Sequence, residues 1–248
     1  MLHSLNGKVV FVTGSARRVG RGIALGFAAQ GANLVIHHHS SDDEAEQTAD
    51  EARKLGVDAL IVKGDYSRHE AIARNFEQVR ARYGRVDVMV NSASNFMQTP
   101  FLDISPDEWE NVIAVNLSAA FWCSQHAGRI MRDLNLAGSI INIADNSGLR
   151  PWSKRPHHSI SKAGLIMLTQ VTARSLAEYQ IRANCLVLGP ILPSPGMDEL
   201  DWQRIENRLP LKRSGDVDDV ARAAIFLATN DFITGAVLRV DGGEWLGD

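Results

Sequence analysis

The sequence predicts a doubly wound α/β domain built on a seven-stranded parallel sheet. Three observations carry this reading. Seven short apolar runs recur along 248 residues, most of them separated by longer amphipathic stretches. The runs are nearly continuous in apolar residues rather than alternating, which is the pattern of strands covered on both faces. A repeated β–α order implies parallel strands joined by right-handed crossovers.

The elements follow in order. Residues 9–12 read as the first strand, followed by a glycine-containing turn and a helix to about Gln30. Residues 34–36 form the next apolar run. The acidic, alanine-rich stretch 42–55 after it opens on Asp42, Asp43 and Glu44, a favourable first turn for the helix dipole. Run 59–62 precedes a helix over 69–83, and run 86–90 precedes a loop and one helix from about Pro106 to Met131. Run 139–143 leads to a helix near 159–179, and run 182–187 to an irregular segment. A helix near 217–228 and a last strand at 237–240 close the series. Residues 190–211 carry four of the eight prolines and read as irregular, with 191–215 as a lid on the substrate side. No linker or repeat interrupts the series, so one domain over 1–248 is expected.

Composition narrows the function. A chain that is 45% hydrophobic and 22% charged is an ordinary globular mixture that can bury a full core. A net charge of -3 gives no reason to expect nucleic acid or an anionic membrane as a partner. No apolar stretch reaches the ~18 residues of a membrane span. Residues 1–7 lack the basic and apolar regions of a signal peptide, so the cytoplasm is the expected location. Cys123 and Cys185 are too few for a disulfide framework, although one bridge stays open, and no Cys/His spacing suggests a metal.

The first strand runs through Thr13 into a turn holding Gly14, Ala16, Arg17, Arg18, Val19 and Gly20. Gly14 can turn tightly, and Gly20 lets the following helix approach a pyrophosphate. The helix start then offers free N–H groups and a positive dipole end. Two arginines at such a turn suit an extra phosphate, such as the 2′-phosphate of NADP. The second strand ends in His38, His39 and Ser40, with no acid before Asp42 to hold a ribose 2′-hydroxyl. NADP(H) is therefore favoured over NAD(H), with histidine and serine compatible with either.

Further motifs stand in order: Asp65-Tyr66 after the third strand, Asn91-Ser92-Ala93-Ser94 after the fourth, and Asn116 between Val115 and Leu117. Leu188-Gly189-Pro190-Ile191 and Val240-Asp241-Gly242-Gly243 follow. Together they resemble the short-chain dehydrogenase/reductase family over nearly the whole chain, which implies a Rossmann-like fold. The resemblance implies that Asp65 and Tyr66 contact adenine and that Asn91, Ser92 and Ala93 line the ribose. It also implies that Gly189 and Ile191 face nicotinamide and that Asn116 supports a water in the catalytic set. Within the family the motifs look nearest to pteridine reductases: an arginine in the cofactor turn, a His-rich second strand end, and Asp145 where other members place the catalytic serine. That likeness implies Phe96 stacking on a pterin with Asp145 at the substrate, and Trp152 is a candidate to line a pocket for a flat ring. The family resemblance further implies a homotetramer.

One departure stands out. The family's proton donor is a Tyr four residues before a Lys. Lys162 is present, but His158 occupies the Tyr position, and Tyr66, Tyr83 and Tyr179 lie elsewhere. His158 and Lys162 at i and i+4 share a helix face. Lys162 would hold the nicotinamide ribose. Imidazole is the side chain whose ordinary titration lies nearest neutrality, so His158 can serve as a general acid that Asp145 orients or charges. His157 reads as a loop or cap residue, and Ser147 and Ser159 as pointing away. Two functions follow. One is NADPH-dependent hydride transfer to a C=O or C=N bond of a small pterin-like or keto substrate. The other is a homologue that keeps NADP(H) without turnover.

Overall fold

The computed structural model describes residues 4–194 and 196–246. Residues 1–3 and 247–248 of the expected 1–248 domain lie outside that range, as does Pro195 of the expected lid. Seven strands form one sheet: β1 (Val9–Val12), β2 (Asn33–His38), β3 (Ala59–Lys63), β4 (Val88–Asn91), β5 (Ser139–Asp145), β6 (Arg182–Leu188) and β7 (Val237–Val240). Their order is β3-β2-β1-β4-β5-β6-β7, and every pair is parallel. The chain steps outward from β1 to β3, then returns to the other side of β1 as β4. The strand order therefore reverses between β1 and β4, where the carboxyl ends of an open sheet leave a crevice for a ligand.

Helices cover both faces. On one side α1 (Arg18–Ala29), α2 (Asp42–Lys54) and α8 (Val217–Thr229) bury Ile23, Phe27, Ala45, Val220 and Leu227 against Leu34 and Ile36. On the other, α3 (His69–Tyr83), α5 (Ala119–Asp133) and α6 (Pro156–Leu176) place Ile72, Phe76, Met131 and Ala173 on Phe11, Val35 and Met89. Leu34 and Val35 thus face opposite layers, as successive strand residues must. Each fully buried large apolar side chain contributes about 1.5–3 kcal/mol. Ser105 caps α4 (Pro106–Ile113) by accepting the Glu108 N–H, and Asp216 with Asp219 forms a reciprocal capping box on α8.

Three elements differ from expectation. The single helix from Pro106 is broken by a π turn, Ala114–Ser118, before α5. The helix after β5 starts at Pro156, whose missing N–H is tolerated in a first turn. The segment expected to be irregular contains α7 (Glu199–Arg208), capped by Asp198. Both cysteines are free and buried, and burial pushes their thiols up, Cys185 to about 11.

One buried cation locks the far end of the sheet. Arg182 at the start of β6 donates to the carbonyls of Leu227 (2.7 Å), Ala228 (2.5 Å) and Ile233 (3.1 Å), closing the C-terminal end of α8. Arg182→Met would strand these acceptors, each at about 1–3 kcal/mol before relaxation. A net loss of about 3 kcal/mol is expected in a denaturant titration. An unchanged midpoint would show that the guanidinium does not secure α8.

Candidate active site

The crevice at the carboxyl ends of β1, β2 and β4 is a cleft of about 560 Å³. Its floor is the turn after β1. Gly14 has φ 65, and a Cβ there would meet the Ala93 backbone at 2.9 Å. A Cβ on Gly20 would lie 2.2 Å from the Gly14 carbonyl oxygen. Two elements clamp the turn. Thr13 Oγ1 accepts the N–H groups of Ser92 (2.9 Å) and Ala93 (3.0 Å), tying it to β4. The Gly14 N–H donates to His37 Nδ1 (3.1 Å), tying it to β2.

His37 was not foreseen as a site residue. Its Nε2 lies 3.0 Å from the Gly64 carbonyl, and its ring stacks on Tyr66 at 3.6 Å. Because Nδ1 accepts and Nε2 donates, the ring is held as one neutral tautomer. Burial lowers its pKa to about 4, only partly offset by the Gly64 hydrogen bond. Strand parity is the signal that points to it: His37 follows Val35 on the α3 face, and His38 follows Ile36 on the opposite face. The unfolded ring takes a proton near ~6.5 and the folded ring near 4, so the unfolded state binds more protons between these values. Stability is complete above ~6.5 and falls by roughly 1.4 kcal/mol per pH unit as pH drops towards 4. Thermal melts across this window should show that fall and should flatten in His37→Gln.

The other residues expected at the nucleotide are placed differently from one another. Ala16, Arg17, Val19, Ser92 and Ala93 line the cleft, with His39 and Ser40 exposed at its mouth. His38 lines it too, with its Nδ1 buried and unpartnered among the described residues. Asp65 lines the cleft and caps the Ser67 N–H, while Tyr66 is almost fully buried with its hydroxyl accepting from Asn75. Arg18, at φ 56, borders the cleft but spends its Nη2 on the Pro193 carbonyl (2.9 Å), linking the turn to the segment after β6. Asn91, expected at the ribose, turns inward: its amide donates to Asn142 (2.7 Å) and Ser124 (3.0 Å). Ile191 buries its side chain in the core, and the Gly189 N–H bonds to Val240, so those two present backbone only.

Further along the same edge, β5 and α6 bring the second group together. Asn116 sits in the π turn, a distortion often found at functional sites. Its Oδ1 accepts the Asn95 N–H (2.6 Å), and its Nδ2 donates to the Asn95 carbonyl (3.0 Å) and to Ser161 Oγ (3.1 Å). It therefore fixes the loop after β4. Lys162, almost fully buried, donates to the Ile143 carbonyl (2.9 Å), and burial lowers its pKa against the pull of Asp145. His158 Nε2 lies 2.7 Å from Asp145 Oδ2, and its Nδ1 lies 3.1 Å from the Asn95 carbonyl. Burial opposes the charge on Asp145. The hydrogen bond from His158, the Lys162 charge and Ser147 outweigh it and hold the carboxyl at about 2.

Ser147 does not point elsewhere: its N–H (3.0 Å) and hydroxyl both bond Asp145 Oδ1. Ser159 accepts the Trp152 N–H. His157 is a buried helix residue paired with Glu108 Oε1 at 2.9 Å, not a loop or cap residue. Phe96 stands edge-on to the His158 ring at 4.9 Å, and Trp152 lies nearly parallel to it at 6.2 Å. The Arg155 guanidinium covers Phe96 at 3.8 Å. Among the described residues no group of three or more His, Cys, Asp or Glu gathers to hold a metal, and no helix is long and apolar enough to cross a membrane.

A turn that excludes two Cβ atoms, at the switch point of a doubly wound sheet, beside a buried lysine–aspartate–histidine cluster, defines a dinucleotide-binding oxidoreductase site. A family model described as Enoyl-(Acyl carrier protein) reductase matches residues 14–244. The chain belongs to the short-chain dehydrogenase/reductase family, whose members transfer hydride with a nicotinamide cofactor. It is 36% identical over 249 residues to L-rhamnose-1-dehydrogenase of Scheffersomyces stipitis, covering 96% of each chain. It is 35% identical over 248 residues to L-rhamnose 1-dehydrogenase (NAD(P)(+)) of a Sphingomonas species, covering 98% of each. Among solved structures it matches acetoin dehydrogenase from Salmonella typhimurium with a TM-score of 0.90 and 32% identity, over 98% of this chain and 97% of that one.

Proposed function

We propose that this protein is an NADP(H)-dependent oxidoreductase acting on a C=O or C=N bond, or on the matching alcohol or amine, of a small polar molecule. The observation that carries the reading is the pairing of Asp145 with His158 beside Lys162, joined through the Asn95 carbonyl to the lining of the cleft. The residues fit the nucleotide. Gly14 and Gly20 leave no room for a Cβ, so the turn closes tightly on Ala93 and on the start of α1, and the first turn of α1 has no side-chain cap to compete with a pyrophosphate for its N–H groups. When bound, nicotinamide supplies or takes the hydride.

Arg17, His39 and Ser40, exposed at the mouth, favour a 2′-phosphate. The nearby acid Asp42 is taken by Lys63, both carboxylate oxygens lying 2.8 Å from the ammonium, so it does not compete for a ribose hydroxyl. Asp65 and the edge of Tyr66 would border adenine, and Lys162 would hold the nicotinamide ribose. Asp145 and His158 handle the proton. Phe96 and Trp152 wall the substrate side, and residues 191–215 act as the lid, tethered through Arg18. A keto or hemiacetal carbon comes first as the reacting centre, in line with relatives named for L-rhamnose, and a pterin second. We also assign a cytoplasmic homotetramer, with α5 and α6 at the interface, where Phe121, Ile160, Met167 and Val171 are exposed on the single chain.

The test is a panel of sugars, hydroxyketones, dihydropterins and 3-oxoacyl thioesters, assayed in both directions by the absorbance of reduced nicotinamide. Turnover with NADP(H) on a sugar or ketone is expected. Tight nucleotide binding without turnover on any compound would leave only the binding protein that keeps NADP(H).

A further inference from the structure

We propose that Asp145, not His158, is the group that meets the substrate, with His158 as a buried positioning residue that shares one proton with it. The inference rests on the oxidoreductase reading above and assigns the proton path within it.

The hydrogens around His158 are few enough to count. Asn116 Nδ2 carries two, and its two shortest partners, the Asn95 carbonyl at 3.0 Å and Ser161 Oγ at 3.1 Å, use both. Ser161 gives its own hydrogen to the His158 carbonyl, so its oxygen is free to accept from Asn116. His158 Nδ1, at 3.3 Å from Asn116 Nδ2, is therefore left to donate to the Asn95 carbonyl at 3.1 Å. A carbonyl can only accept, so Nδ1 carries a hydrogen. The contact between Nε2 and Asp145 Oδ2 at 2.7 Å then needs one hydrogen on the line between them. Both ring nitrogens are committed, and no lone pair or N–H of His158 remains for a substrate.

Exposure agrees. The His158 side chain is 1% exposed and that of Asp145 is 20% exposed. Phe96 and Trp152 screen the imidazole, while Oδ2 keeps a second lone pair. The charged groups acting on this carboxylate are Lys162 from α6, Arg155 from the loop before it and Glu244 near the C-terminal end. Ser147 occupies Oδ1. In the reduction direction the shared proton would pass through Asp145 Oδ2 to the substrate oxygen or nitrogen, while a bound reduced nicotinamide nucleotide would supply the hydride of the new C–H bond. In the oxidation direction the substrate O–H proton would return to the pair through Asp145 as the electron pair of the adjacent C–H bond leaves with hydride to the oxidised nucleotide.

Two measurements decide it. Heteronuclear NMR of the imidazole nitrogens in unliganded protein should show a hydrogen on His158 Nδ1, with Asp145→Asn altering Nε2 and leaving Nδ1 as it was. A bare Nδ1 overturns the proposal whether or not a substrate has been found. With any compound that the panel turns over, Asp145→Asn should lower kcat by about 10²–10⁴-fold at unchanged NADPH affinity. Added formate should restore part of the turnover of Asp145→Ala, and His158→Gln should keep more activity than Asp145→Asn. Retained turnover in Asp145→Asn, or rescue of His158→Ala by imidazole, overturns it. Failure of the oxidoreductase reading itself shows separately, as absence of nucleotide binding in calorimetry.

Discussion

Gly20→Ala is expected to abolish nucleotide binding. The added methyl would lie 2.2 Å from the Gly14 carbonyl oxygen and 2.9 Å from its carbon, both rigid backbone. Relief requires α1 to move away from the turn. That would break the clamp through which Thr13 and His37 hold the turn to β4 and β2. Strain of this kind costs about 1–3 kcal/mol in stability, and the larger effect falls on the ligand, because the N–H groups of the turn and helix start are displaced together. Calorimetric titration of the variant with NADPH, beside circular dichroism to confirm folding, checks this. Wild-type affinity in Gly20→Ala would mean that the phosphate does not approach this turn.

Lys162→Met should have the second large effect. Lys162 is almost fully buried, donates to the Ile143 carbonyl and is a source of positive charge acting on Asp145. Without it, the burial that already opposes the Asp145 charge has less to offset it, and the carboxyl rises from about 2. A depressed carboxyl contributes stability above its unfolded value of ~3.9 and loses it as pH falls towards 2, so this acid window narrows in the variant. Turnover should fall by about 10²–10⁴-fold. Lys162→Arg should not restore it, because a planar guanidinium does not replace an ammonium in so tight a place. The Lys162 backbone already stands where a Cβ on Gly148 would meet it at 2.8 Å. An acid titration of the Asp145 carboxyl by NMR, set beside the turnover assay, reads both consequences.

The sheet was legible because parallel strands buried on both faces leave uninterrupted apolar runs, and the observed strands lie on all seven of them. The π turn was hidden, since Val115, Asn116 and Leu117 fit a helical period and only an added residue in the hydrogen-bonding ring distinguishes the two. Helix α7 was hidden because ELDWQRIENR is mostly polar and buries no residue fully; Asp198 before it was the available cap signal. Motif order singled out the turn after β1 and the pair His158 and Lys162, but not the direction of each side chain. Asn91 faces the sheet network and Arg18 the Pro193 carbonyl because strand parity and a left-handed φ, not residue type, set where they point. His37 shows the converse: the most buried of three consecutive histidines is the one that braces the turn.

The most direct test of this account is titration of the purified protein with NADPH and with NADH by calorimetry. One nucleotide should bind per chain, tighter for NADPH, weakened in Arg17→Ala chiefly for NADPH and lost in Gly20→Ala. Absence of heat and of any thermal stabilisation with either nucleotide would contradict it.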